Sequence, residues 1–202
     1  TCPTWGITTR SLGKKMPSAS REMALEAGTA SHEGFAAVRL YQYMTFQCKT
    51  PNQLLNAAKH GNRLFGEERY EKMMSLLSDG ATHRTNAINF AAEAIESCGF
   101  YDDITDNKRT ISNIIESMIS FIDAYDMERY PIWIRDPEDI ATDIGIEIAF
   151  DIIVTIRYGE NGVEKELVVR FAGKLDGLHL NREELIVIEE KSGSRLDDSW
   201  LC

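Results

Sequence analysis

The sequence predicts an α+β fold, with an N-terminal helical half followed by an antiparallel β-meander. Two changes of pattern predict it. From about Ser20 to Tyr125 apolar residues recur at helical spacing; from Ile146 onward they recur at every second position. Between the halves, 129–143 (RYPIWIRDPEDIATD) carries two prolines and reads as a connector.

Breaks at Pro51, Gly61, Gly66, Gly80 and Gly99 divide the first half into helices over 20–47, 52–60, 66–78, 83–98 and 107–125. In 146–157, Ile146, Ile148, Phe150, Ile152, Val154 and Ile156 share one side of a strand, and Glu147, Asp151, Thr155 and Arg157 the other. Gly159-Glu160-Asn161-Gly162 is a hairpin turn, because Asn-Gly tolerates the positive φ such turns demand. A second strand spans about Lys165 to Leu180, bent near Gly173, and a third runs from Glu184 to Lys191. The 202 residues suffice for one ordinary domain, read as 1–202, without disulfide staples.

Composition excludes several classes. No apolar run reaches the roughly 20 residues needed to span a bilayer, and Thr1 to Lys15 lacks the apolar core of a signal peptide. The chain is therefore read as cytoplasmic, with no membrane partner. The four cysteines, Cys2, Cys48, Cys98 and Cys202, form no C-x-x-C pair; Cys48 and Cys98 read as free thiols on buried helix faces. A net charge of −10 argues against a generally basic nucleic-acid binder. It leaves room for an enzyme that grips phosphate through metal ions and a local patch such as Arg10, Lys14, Lys15 and Arg21. Neither a phosphate-cradling glycine loop nor a nucleophile–base pair points to a small-molecule enzyme.

The segment 172–194, AGKLDGLHLNREELIVIEEKSGS, carries the chemistry. A hairpin turning at Arg182-Glu183 sets Leu180 against Leu185 and Leu178 against Val187. The same register sets Asp176 directly opposite Glu189, on the face of those apolar pairs. Opposed residues on antiparallel strands have Cβ atoms about 5 Å apart, so the two carboxylates can converge on one divalent cation. Lys191 projects from the same face two residues on, where its ammonium can polarise a water or stabilise charge on a phosphate. The Glu190 carbonyl between them is a natural further metal ligand. Alone, such a pattern more often marks a solvated strand face; here the acids stand on the side expected to face the core, where charge needs a reason.

Phe171-Ala172-Gly173-Lys174-Leu175-Asp176-Gly177 followed by Ile186-Val187-Ile188-Glu189-Glu190-Lys191-Ser192-Gly193 resembles motifs II and III of the PD-(D/E)XK nucleases, in their RecB-like branch of phage and CRISPR-adaptation exonucleases. That branch carries a Gly ahead of a His and an acid on an N-terminal helix, matched by Gly28-Thr29-Ala30-Ser31-His32-Glu33, and often a Cys-Pro near an aromatic, matched by Cys2-Pro3-Thr4-Trp5. Gly28 would let the helix sit close to the sheet and bring His32 over the carboxylates. The resemblance covers 1–46 and 144–202, leaving 47–143 as a helical insertion.

It implies a restriction-endonuclease-like core and a metal-dependent (exo)deoxyribonuclease using Mg²⁺ or Mn²⁺ on DNA in a bacterial cell or phage-infected host. Asp176 and Glu189 would be catalytic, and with His32 and Glu190 would hold the metal; Lys191 would be the catalytic cation. No iron–sulfur cluster is expected, because Cys2 has no C-terminal cysteine trio to join. The family's last helix and strand, with a Gln and a Tyr, are expected beyond Cys202, the helix starting near Ser194. The alternative function is a catalytically silent nuclease-fold subunit acting as a nucleic-acid-binding or scaffolding module, with a protein partner or in a homo-oligomer.

Overall fold

The computed structural model describes residues 23–102, 106–125, 129–137, 139, 142–160 and 163–189. Helix α1 (Met23–Gln42) runs on into a π-helical turn, Tyr43–Gln47, and is followed by α2 (Pro51–Phe65), α3 (Glu67–Ser75), α4 (His83–Ser97) and α5 (Ile111–Ala124). A three-stranded antiparallel meander completes the α+β order: β1 (Ile146–Glu160), β2 (Val163–Asn181) and β3 (Glu184–Ile188). Among the described residues no helix is long and apolar enough to cross a membrane.

Local chemistry sets the helix ends. Thr50 and Gln53 exchange side-chain and backbone hydrogen bonds in a capping box, with Pro51 in the first turn where a missing N–H costs nothing. The Thr82 and Thr110 side chains accept from Thr85 N and Asn113 N to start α4 and α5. Gly66, at φ 83°, stops α2. Gly61, expected as a break, lies inside α2 instead: a Cβ there would stand 2.4 Å from the Tyr70 ring, so the position is glycine for packing. Cys48 and Cys98 are half-buried free thiols just past helix ends, rather than residues of buried helix faces.

Helix α1 is the central element, packed on α4, α5 and the start of β1. Its small residues Ala30, Ala36 and Ala37 are buried, which brings its neighbours close. Gly34 completes that surface, since a Cβ there would lie 2.0 Å from Met118 Cε of α5. Gly28 does not play the part expected of it. A Cβ at Gly28 meets no described atom within 4 Å, so nothing described needs the missing side chain there.

The β2–β3 ladder has the expected register: Leu180 pairs with Leu185, Leu178 with Val187, and the turn falls at Arg182 and Glu183, with Arg182 at φ 59°. β1 and β2 pair from Ile146↔Gly177 to Glu160↔Val163. β2 is continuous through Gly173, where the Phe150 ring occupies the space of a side chain. One expectation about the faces fails. Of the two apolar pairs, Leu178 is buried, but Leu185 and Val187 are each 56% exposed, because among the described residues nothing covers β3. The distal half of the β1–β2 ribbon is likewise uncovered there, with Ile152, Ile156, Leu167 and Phe171 all exposed.

Beyond Ile146 the connector takes over as the partner of β2. Trp133 N donates to Leu178 O, Leu178 N to Gly145 O and Gly145 N to Trp133 O, closing a three-way junction. A Cβ on Gly145 would sit 2.1 Å from the Leu178 carbonyl oxygen. Gly145→Ala should therefore destabilise the fold by about 1–3 kcal/mol, since backbone must move. Gly28→Ala, in open helix, should stabilise it by roughly 0.5–1 kcal/mol. Urea denaturation of the two variants tests the contrast.

Candidate metal centre

Two acids meet where α1 crosses the sheet. Counting pair by pair along the β1–β2 ladder sets Glu147 opposite Asp176, the one step at which the pairing lapses, between Ile146↔Gly177 and Ile148↔Leu175. It lapses because Glu147 has φ 53°, a left-handed backbone that a non-glycine residue adopts at a cost of order 1–3 kcal/mol. The Glu147 side chain is only 6% exposed, while Asp151 farther out on the strand is fully at the surface.

Helical side chains fix the backbone of both acids. Arg39, fully buried in α1, donates from Nη1 to the Asp176 carbonyl at 3.0 Å. It packs so closely that a Cβ on Gly177 would stand 3.1 Å from its Cζ. His60 of α2 donates from Nε2 to the Ile146 carbonyl at 2.9 Å, just ahead of Glu147, while its Nδ1 accepts from Arg63 at 2.8 Å. That pattern requires a neutral imidazole. Burial, reinforced by the Arg63 charge, pushes His60 down to about 4.

His32 supplies the third group from α1. Its Nδ1 lies 3.3 Å from Asp176 Oδ1 and 4.0 Å from Glu147 Oε1. One ligand atom from each of His32, Glu147 and Asp176 can be chosen with all three within 4.8 Å of one another. Lys174, on the same face of β2 as Asp176, forms a close ion pair with Glu147 Oε2. Glu147 Oε1 is buried with no hydrogen-bond partner among the described residues. These residues line a cleft of about 270 Å³ whose wall is completed by Glu33, Leu64 and Phe65. One imidazole nitrogen and two carboxylates are the donor set of a small divalent cation, and the mixed N/O character suits Mn²⁺ more than Mg²⁺.

The structure thus brings His32 and Asp176 together and adds Glu147, which the sequence reading placed only on the side of β1 opposite its apolar row. Glu189 stands one residue past the end of β3, exposed, and is not in the three-residue cluster. Glu190 and Lys191 lie outside the described residues, as do Cys2 and the basic residues of 10–21. Glu147 had a legible signal: a β1–β2 hairpin in this register sets it against Asp176, although the expected Asn161-Gly162 turn itself lies outside the described residues.

A second neutral histidine stands at the far end of β2. His179 is fully buried and pushed down to about 4, by burial first, with the Arg39 charge adding and the bond to the Tyr130 carbonyl opposing. Both folded values lie below the unfolded value of about 6.5, so the unfolded chain takes up more protons as pH falls. Stability should be full above about pH 6.5 and decline toward about pH 4, each histidine contributing on the order of 2–3 kcal/mol to the loss. Urea midpoints between pH 7 and 4.5 measure it, and His60→Gln should make the decline shallower.

No protein-family model matches this chain, and no curated protein or solved structure matches it either.

Proposed function

We propose that this chain is a divalent-metal-dependent nuclease of the PD-(D/E)XK type, hydrolysing DNA phosphodiesters. The observation that carries the reading is the meeting of His32, Glu147 and Asp176 in one cleft, with one Glu147 oxygen buried and without a hydrogen-bond partner among the described residues. A buried carboxylate balanced by its ion pair to Lys174 still bears a desolvation cost, and two acids side by side add repulsion that a cation removes. The motif resemblance through Asp176, Glu189 and Lys191 supplies the reaction class, and the α+β order is compatible with the restriction-endonuclease-like core it implies.

A bound Mg²⁺ or Mn²⁺ supplies charge stabilisation at a phosphoryl oxygen and an activated water. The chain's own residues do the rest. Asp176 and Glu147 hold the ion from two adjacent strands, their backbones fixed by Arg39 and His60. His32 contributes a nitrogen from above and orients against Asp176. Lys174 balances Glu147 and lies beside the cleft as a second cation near the substrate path. Lys191 and Glu189 keep the roles given by their motif, a cation acting on the phosphate and a further acid just past β3. The exonuclease assignment rests on the resemblance.

Glu189's place outside the cluster favours one other reading, a nuclease-fold subunit that binds nucleic acid without cutting it. A cleavage assay on fluorescent DNA with Mn²⁺ separates the two. Glu147→Gln and Asp176→Asn should each lower the rate by at least about a hundredfold, as expected of groups acting through the ion. His32→Ala should cost less. Wild-type protein that binds the DNA but leaves it intact with either metal would establish the silent subunit instead.

A further inference from the structure

A second cavity, about 800 Å³, lies at the other end of α1, walled by the π-helical turn and α4. π-Helical turns are rare and recur at functional sites. This one presents Phe46, 43% exposed, to the cavity. The Phe46 ring meets His83 edge-on at 5.2 Å, and His83 Nδ1 is 3.2 Å from the Tyr41 hydroxyl, so three rings are held in one wall.

The electrostatics are the reverse of the chain's. In a protein of net charge −10, the residues lining this cavity include Lys49 and Arg84 and no carboxylate. Asp123, beside it, takes two donors of Arg84 at 2.8 and 2.9 Å, and a guanidinium has five. Gln42 also lines the cavity, and its Oε1 is buried without a hydrogen-bond partner among the described residues, an acceptor awaiting a donor. Aromatic wall, unpartnered acceptor and paired cations together describe a planar ring that carries N–H groups and an attached anion.

We propose that this cavity is a nucleotide subsite for a single DNA strand: a base stacks on Phe46, its N–H faces Gln42, and its phosphate meets Lys49 and Arg84. The choice of a strand rests on the nuclease reading. Both sites stand on α1, and the ten residues from His32 to Gln42 rise about 15 Å, roughly four nucleotides at stacked spacing. The helix would then act as a ruler, holding a strand at a fixed distance from the ion.

The test is binding of fluorescein-labelled (dT)8, read by anisotropy in EDTA, where no metal-dependent cleavage occurs. Phe46→Ala should weaken binding roughly five- to hundredfold. Lys49→Gln with Arg84→Gln should flatten the slope of log affinity against log salt by about 1.4, two phosphate contacts on a single strand. Arg157→Gln, removal of a single cation out on the β1–β2 ribbon, should alter neither. All four side chains are exposed, and folding is verified by circular dichroism. No binding by the wild type, or binding and slope indifferent to Phe46, Lys49 and Arg84, overturns the subsite. Free dTMP competing as well as unlabelled (dT)8 overturns the strand in favour of a free nucleotide. Persistent Phe46-dependent binding by a protein that never cleaves DNA would leave the subsite standing while the nuclease reading falls.

Discussion

The arrangement of this molecule turns on one buried carboxylate, Glu147. It sits at a left-handed backbone position, nearly sealed from water, with one oxygen on Lys174 and the other 4.0 Å from His32 Nδ1 and without a hydrogen-bond partner among the described residues. Each of those features costs free energy, and neither the sheet nor the helices need a charge at this place. The surroundings are built to keep it there. His60 anchors the preceding carbonyl, Arg39 anchors the carbonyl of Asp176 across the ladder, and α1 closes over both with His32. Strain that persists because its neighbours over-determine it is what a pre-organised ligand site requires.

The same requirement explains why α1 carries so many small residues. Ala30, Gly34, Ala36 and Ala37 let α4 and α5 approach, which fixes the helix laterally, while Arg39 ties it to β2. A helix held on three sides can present His32 at its middle and the π-helical turn at its C-terminal end with a fixed separation. Close packing thus becomes positional accuracy at the cleft and at the Phe46 cavity alike.

Much of this was legible in the sequence because the signals were local. Apolar spacing marked all five helices, and the Arg-Glu turn fixed the β2–β3 register. What escaped depends on contacts between distant segments. Strict alternation put Glu147 with Asp151 and Arg157 and gave it no role; a positive φ breaks alternation, and no residue type announces it. Gly28 drew attention through its motif, whereas the glycines that matter for packing are Gly34, Gly61 and Gly145, whose roles exist only once Met118, Tyr70 and Leu178 are in place. The side of β3 bearing Leu185 and Val187 was read as facing the core from its apolar character alone, which carries no information about what lies opposite.

The central claim is that Glu147 is buried for the sake of a cation, and thermal unfolding with and without Mn²⁺ tests it most directly. Wild-type protein should melt several degrees higher in saturating Mn²⁺, since an ion that binds only the folded state stabilises it by mass action. Glu147→Gln should melt at or above the wild-type temperature without metal, because a poorly compensated buried charge is gone, and should lose most of the Mn²⁺-induced rise. If the substituted protein keeps the full rise, or if Mn²⁺ does not move the wild-type transition, Glu147 is buried for another reason and the metal centre is misassigned.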